Sequence, residues 1–229
     1  MMTFCFGGLI GGLLESDHAG LNAVQKDLVG MVIAALSMQG GFVLWIWFFL
    51  REIKLSCREA FGIEATGLGR ATLWGIAGAC IFAPVAVGLQ QILGLWIELM
   101  TKHPAEAQSV VTALQKPDAP VAEQIFIGVW AVLVAPPAEE MLFRGVLYPT
   151  IKQLGFPRVA RWTTALLFGA MHANLLAFLP LVIFALILID LYEKTGSLWA
   201  SITAHSLFNF INWLLLMLTT GPHPVIHFN

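Results

Sequence analysis

The sequence predicts an all-α fold, a polytopic transmembrane bundle of about six to eight helices enclosing a polar cavity, and three observations predict it. Of 229 residues, 58% are hydrophobic and 11% charged, with a mean hydropathy of +0.80. Apolar windows of about 18 to 25 residues recur along the chain, and a helix needs about 20 to cross the hydrocarbon. Those windows are apolar on all sides instead of alternating with polar residues, which favours helices over a β-barrel as the way to satisfy the backbone in lipid. No domain boundary, internal repeat or low-complexity run interrupts them, so residues 1–229 read as one integral membrane domain. A net charge of -2 predicts no nucleic-acid partner.

In chain order, Met1 to Leu14 lacks a basic leading segment and is short for a span, which suits an interfacial or partial helix. Its Gly7, Gly8, Gly11 and Gly12 have GxxxG spacing. The first clear span runs from Val29 to Leu50 and ends in Trp45, Trp47, Phe48 and Phe49, residues suited to a membrane interface. A second covers Ala71 to Met100, with Pro84 expected to kink it and Gly75, Gly78 and Gly94 permitting close approach. Thr101 to Pro120 reads as a loop because of Pro104, Pro117 and Pro120. Val121 to Ala135 is a third span, and Pro136-Pro137 marks a restart into a helix from Ala138 to Leu154. Further spans follow at Val159 to Phe178, Pro180 to Leu191 and Ser197 to Leu218.

Basic residues orient this order. With the N-terminus outside, the inner side holds Arg51, Lys54, Arg58, Arg70, Arg144, Lys152, Arg158, Arg161 and Lys194, against Lys26, Lys102 and Lys116 outside. Positive charge gathers on the cytoplasmic side, so the bundle's polar centre is expected near that leaflet.

Cys5, Cys57 and Cys80 show neither CxxC nor Cys/His metal spacing and read as packing residues, with no thiolate zinc site and no disulfide framework. His18, His103, His223 and His227 fall at predicted ends or in loops and receive no role. Trp96, Trp130, Trp162, Trp199 and Trp213 read as packing or interface residues.

Chemistry concentrates elsewhere. Glu139 and Glu140 are adjacent, and Arg144 follows four residues after the second acid, so Glu140 and Arg144 share a helix face while Glu139 points about 100° away. One carboxylate is then held ionised by arginine and the other is free to take a proton from water. The bland alternative is an ion pair that only fixes helix register, but such pairs stabilise poorly and it leaves the second acid unexplained. Phe168 shares a face with His172, and His205 with Asn209. In a hydrolytic reading Glu139 and His172 polarise a water for attack on an amide, while His205 and Asn209 donate to the developing oxyanion. Asn174 and Asn212 read as packing amides.

These residues form EExxxR at Glu139 to Arg144, FxxxH at Phe168 to His172 and HxxxN at His205 to Asn209, with Thr195-Gly-Ser-Leu-Trp-Ala200 ahead of the third. Complete and in this order, they resemble the CAAX-protease and bacteriocin-processing family of intramembrane glutamic endopeptidases, also called the Abi family, with a type II CAAX prenyl protease-like core over residues 121–218. The resemblance implies Glu139 as general base with His172 beside it, Glu140 and Arg144 in support, and an oxyanion site at His205 and Asn209. It implies no cofactor and no metal, a helical bundle around a cavity open to cytoplasm and membrane, and a bacterial or archaeal cell membrane as its place. Its substrates are membrane-associated peptides or proteins, some prenylated. The family's bundles commonly hold more helices than the windows here supply, which points to the N-terminal region for the remainder.

Two rival classes stand beside it. A zinc hydrolase is built from Glu and two His with an open water position, although HExxH is absent. A nonenzymatic membrane protein, either a bacteriocin-immunity scaffold or a proton-coupled transporter, also uses intramembrane acids and histidines, but no inverted repeat is visible.

Overall fold

The computed structural model describes residues 36–52, 54–63, 67–115 and 121–220, together with Gly30 and Ile33. All regular structure among them is helical. A π turn, Leu36–Gly40, leads into α1, Gly41–Glu52. The short α2, Cys57–Phe61, starts at a capping box in which the Ser56 hydroxyl accepts from Glu59 N and the Glu59 carboxylate accepts from Ser56 N. Then come α3 (Leu68–Thr101), the short α4 (Ser109–Leu114), α5 (Val121–Gln153), α6 (Pro157–Met171), α7 (Leu175–Thr195) and α8 (Leu198–Thr220). Among the described residues, α3, α5, α7 and α8 are long and apolar enough to cross a membrane. The Met1 to Leu14 segment, its glycines, Cys5, His18, His223, His227 and part of the span from Val29 lie outside the described residues.

Three boundaries differ from the expectation. Pro136-Pro137 does not restart a helix: α5 runs through it, passing a π turn at Trp130–Val134 before the prolines and another at Met141–Leu147 after them. A proline removes a donor, and a π turn absorbs that local mismatch without ending the helix. The chain instead breaks at His172 to Asn174, where Ala173 takes φ 48° and the Asn174 side chain accepts from Ala177 N at 2.9 Å to cap α7. Pro180 consequently lies inside α7, and α6, at 15 residues, is shorter than a span.

Aromatic and small residues form the centre. Phe82 of α3 stacks on Phe184 of α7 and Phe208 of α8 lies tilted against both, in a cluster with Ala79, Ala83, Ala86, Ala200 and Ala204. Small side chains let α3 and α8 approach closely. A Cβ on Gly75 would sit 2.6 Å from the Ala200 carbonyl, and one on Gly128 would sit 2.6 Å from the Trp213 ring. The opposite faces are apolar and exposed, as at Leu73, Ile81, Ile92 and Leu99 of α3, which suits lipid as the outer solvent. Cys57 and Cys80 are exposed, so they are not the packing residues the composition predicted.

Lys152, Arg161 and Lys194 lie at one end of the bundle, where α5 and α7 finish and α6 begins. There Lys152 pairs with Glu193, Arg161 with Asp190, and the Trp199 indole donates to Thr72. Phe61 of α2 packs into the same end against Gly145. Asn174, at the other end, donates to the Glu106 carbonyl beyond the C-terminus of α3.

Candidate active site

Burial divides the two acids. Glu140 is wholly enclosed, whereas the Glu139 side chain keeps 12% of its surface exposed. The EExxxR spacing does what helix geometry requires: Arg144, also wholly enclosed, donates from one terminal nitrogen to Glu140 Oε1 at 2.8 Å. Its other terminal nitrogen donates to the Ala185 carbonyl of α7 at 3.1 Å. The guanidinium plane lies over Phe168 of α6, 4.7 Å from the ring centre. A charge pair in such surroundings survives because its hydrogen bonds and the ring face replace water. Neither the α7 carbonyl nor the stacking is readable from the motif, since both partners come from other helices.

His205 joins the cluster from α8. Its Nδ1 lies 2.9 Å from Glu140 Oε1, and since that carboxylate oxygen already accepts from arginine, Nδ1 is assigned as the donor. Its Nε2 then faces Glu139, 3.9 Å from Oε2. That gap is too long for a direct hydrogen bond and suited to two groups sharing one small polar atom. Phe168 and Phe184 present edges to the His205 ring, with centroids at 5.6 and 5.8 Å, and fix its plane. Phe168 thus braces both Arg144 and His205, a role its motif position did not reveal.

The remaining motif residues are placed differently. His172 closes α6, and its Nδ1 lies 2.8 Å from the Phe168 carbonyl one turn back, which fixes Nδ1–H as donor and leaves the lone pair on Nε2. Its ring lies 5.1 Å from that of Phe168, so it borders the same aromatic brace. Asn209 donates from Nδ2 to the Ala131 carbonyl of α5 at 2.8 Å. Asn212 bonds the Phe208 carbonyl within its own helix, and Asn174 serves as the α7 cap, so neither amide joins the cluster. Glu140 Oε2 and Arg144 Nε are buried without a hydrogen-bond partner. Among the described residues, no three His, Cys, Asp or Glu side chains converge as a metal site would require.

Glu139, Glu140, Arg144 and His205 therefore form one connected group drawn from α5 and α8, with Phe168 and His172 of α6 alongside. Chemically it offers an accessible carboxylate, an imidazole aimed at it, and a buried carboxylate and guanidinium that hold the imidazole in place.

Residues 121–211 match the model of the Rce1-like type II CAAX prenyl endopeptidase family, a stretch that takes in all three motifs. This agrees with the resemblance read from those motifs. The uncharacterised Bacillus subtilis protein YpbD is 38% identical over 72 residues, which cover 30% of this chain and 34% of that protein. The chain thus spans about a third of the length of the curated relative it matches. No solved structure matches. That similarity and four helices of spanning length are the features of an integral membrane protein.

Proposed function

We propose that the protein is an intramembrane endopeptidase that hydrolyses a peptide bond of a membrane-associated substrate with a water activated by Glu139. The observation that supports this most is the position of His205, hydrogen-bonded to the enclosed Glu140 at 2.9 Å and aimed at the accessible Glu139 at 3.9 Å. Glu139 takes a proton from water, whose oxygen attacks the scissile carbonyl carbon. When the tetrahedral adduct collapses, the C–N bond breaks and the same proton passes to the departing amine. His172 accepts a hydrogen bond from that water through Nε2, and His205, carrying a proton on each ring nitrogen throughout the cycle, donates from Nε2 to the oxyanion. Glu140 and Arg144 orient His205 instead of meeting substrate.

The site lies toward the cytoplasmic leaflet of a bacterial or archaeal cell membrane, on the side where the basic residues gather. Its substrate is a peptide carried at the bilayer, prenylated at a CAAX-type terminus or simply apolar. Purified protein offered prenylated and unlipidated versions of one peptide separates these, with cleavage followed by mass spectrometry. Cleavage of the prenylated form at least about tenfold faster, a difference of 1.4 kcal/mol, assigns a lipidated substrate; equal rates assign an apolar one. Cleavage abolished by a chelator and restored by zinc replaces the glutamate mechanism with metal hydrolysis. No cleavage of either form favours a scaffold or a proton-coupled transporter.

A further inference from the structure

Within an α-helix the carbonyl of Ala131 accepts from the N–H of residue 135, and within a π turn from that of residue 136. Neither donor is available here. Ala135 N–H is spent on the Trp130 carbonyl, because Trp130–Val134 is wound as a π turn. Residue 136 is proline and has no N–H to give. The Ala131 carbonyl is therefore stripped of both ladder partners, at membrane depth, just before the turn that carries Glu139 and Glu140. A carboxamide from another helix meets it: Asn209 Nδ2 donates to Ala131 O at 2.8 Å.

We infer that Asn209 is a positioning residue, whose carboxamide supplies the backbone donor that Pro136 cannot and so fixes the register of the turn bearing the two acids. The distinction from the oxyanion role implied by resemblance is chemical. An oxyanion donor serves the transition state, whereas this bond exists in the resting protein and its acceptor is a peptide carbonyl. The consequence of losing it is rotational. Glu139 and Glu140 lie between two π turns, and a π turn adds one residue to the ladder, which turns everything after it by about 100° relative to an uninterrupted α-helix. A carbonyl left unpaired at Ala131 favours rewinding to the α register, in which Ala135 N–H returns to Ala131 O. That change swings Glu139 away from His205. The same helix, α8, thus pins the acidic turn twice, through His205 on Glu140 and through Asn209 on Ala131.

Restoring an N–H at position 136 tests this directly, because alanine there gives Ala131 a backbone donor in either register. The four proteins needed are wild type, Asn209→Ala, Pro136→Ala and the double variant. The first readout is the unfolding equilibrium in detergent micelles. With proline at 136, Asn209→Ala is expected to lower the folded-to-unfolded ratio about tenfold, the effect of an orphaned buried acceptor, and with alanine at 136 less than about twofold. The second readout rests on the peptidase reading: Asn209→Ala lowers kcat and leaves KM unchanged with proline at 136, and changes kcat less than about twofold with alanine there. Equal effects of Asn209→Ala in both backgrounds, on either readout, overturn the inference and return Asn209 to the oxyanion. Should Asn209→Ala not fold alone, its recovery by Pro136→Ala supports the inference, and Asn209→Ser measured in both backgrounds decides it otherwise. If wild type and Glu139→Gln are equally inactive, the peptidase reading fails on its own, and the unfolding cycle still decides the role of Asn209.

Discussion

Two neighbouring carboxylates with different surroundings are the chemical core of this site. Glu140 is enclosed and shared between Arg144 and His205, while Glu139 retains contact with the exterior. Enclosure keeps Glu140 from substrate and partial exposure leaves Glu139 open to it, which supports the proposed division into a supporting and a reacting carboxylate. Arg144→Ala leaves the Glu140 charge buried without its main partner and is expected to destabilise the protein by about 3–5 kcal/mol. Pairing it with Glu140→Gln should recover most of that loss, because the uncompensated charge is gone. Unfolding in mixed micelles measures both; a single-variant loss under about 1 kcal/mol would show that the pair is not held as described. The i to i+4 relation of Glu140 and Arg144 was legible in the sequence because it is local. The Ala185 carbonyl, the Phe168 ring face and the link from His205 to Glu140 were not, since residues on different helices meet only once those helices pack.

At the scale of the elements, α5 is the part whose behaviour the sequence misled about. Two consecutive prolines signal an interruption, yet the helix passes through them, and the donors they remove are absorbed by a π turn and by a side chain from α8. The break between α6 and α7 was hidden for the opposite reason: Asn174 looks like a packing amide until its side chain is seen capping the next helix. Glycines in α3 illustrate how much depends on the neighbour. Gly75→Ala forces a methyl group against the Ala200 carbonyl and the Thr203 side chain and should cost about 1–3 kcal/mol. Gly94→Ala meets only the end of Leu176 at 3.8 Å, an ordinary contact, and should instead gain about 0.5–1 kcal/mol in helix propensity. Opposite signs in a thermal-shift comparison are the expected outcome, and equal losses would contradict the close α3 to α8 packing.

For the molecule as a whole, the grouping of Lys152, Arg161 and α2 at one end gives the orientation a direct handle. Cys57 is exposed at that end, so in a Cys5→Ser, Cys80→Ser background a membrane-impermeant maleimide should label it in inside-out vesicles and not in right-side-out ones. The reverse pattern would turn the bundle over and move the site to the outer leaflet. The all-helical membrane class was legible because composition alone forces it. The motifs announced a family-like domain because their order and spacing are specific, but the pairings among them belong to the packed bundle. The proposed function rests on an accessible Glu139 that, steadied through His205 by a buried ion pair, activates water against a peptide bond. It is tested most directly by measuring peptide cleavage by wild type and Glu139→Gln prepared alike, with unfolding recorded on the same samples. The variant is expected to unfold as wild type does and to lose at least about a hundredfold in kcat, the scale of one general base; cleavage at the wild-type rate by a folded Glu139→Gln protein would refute that role for Glu139.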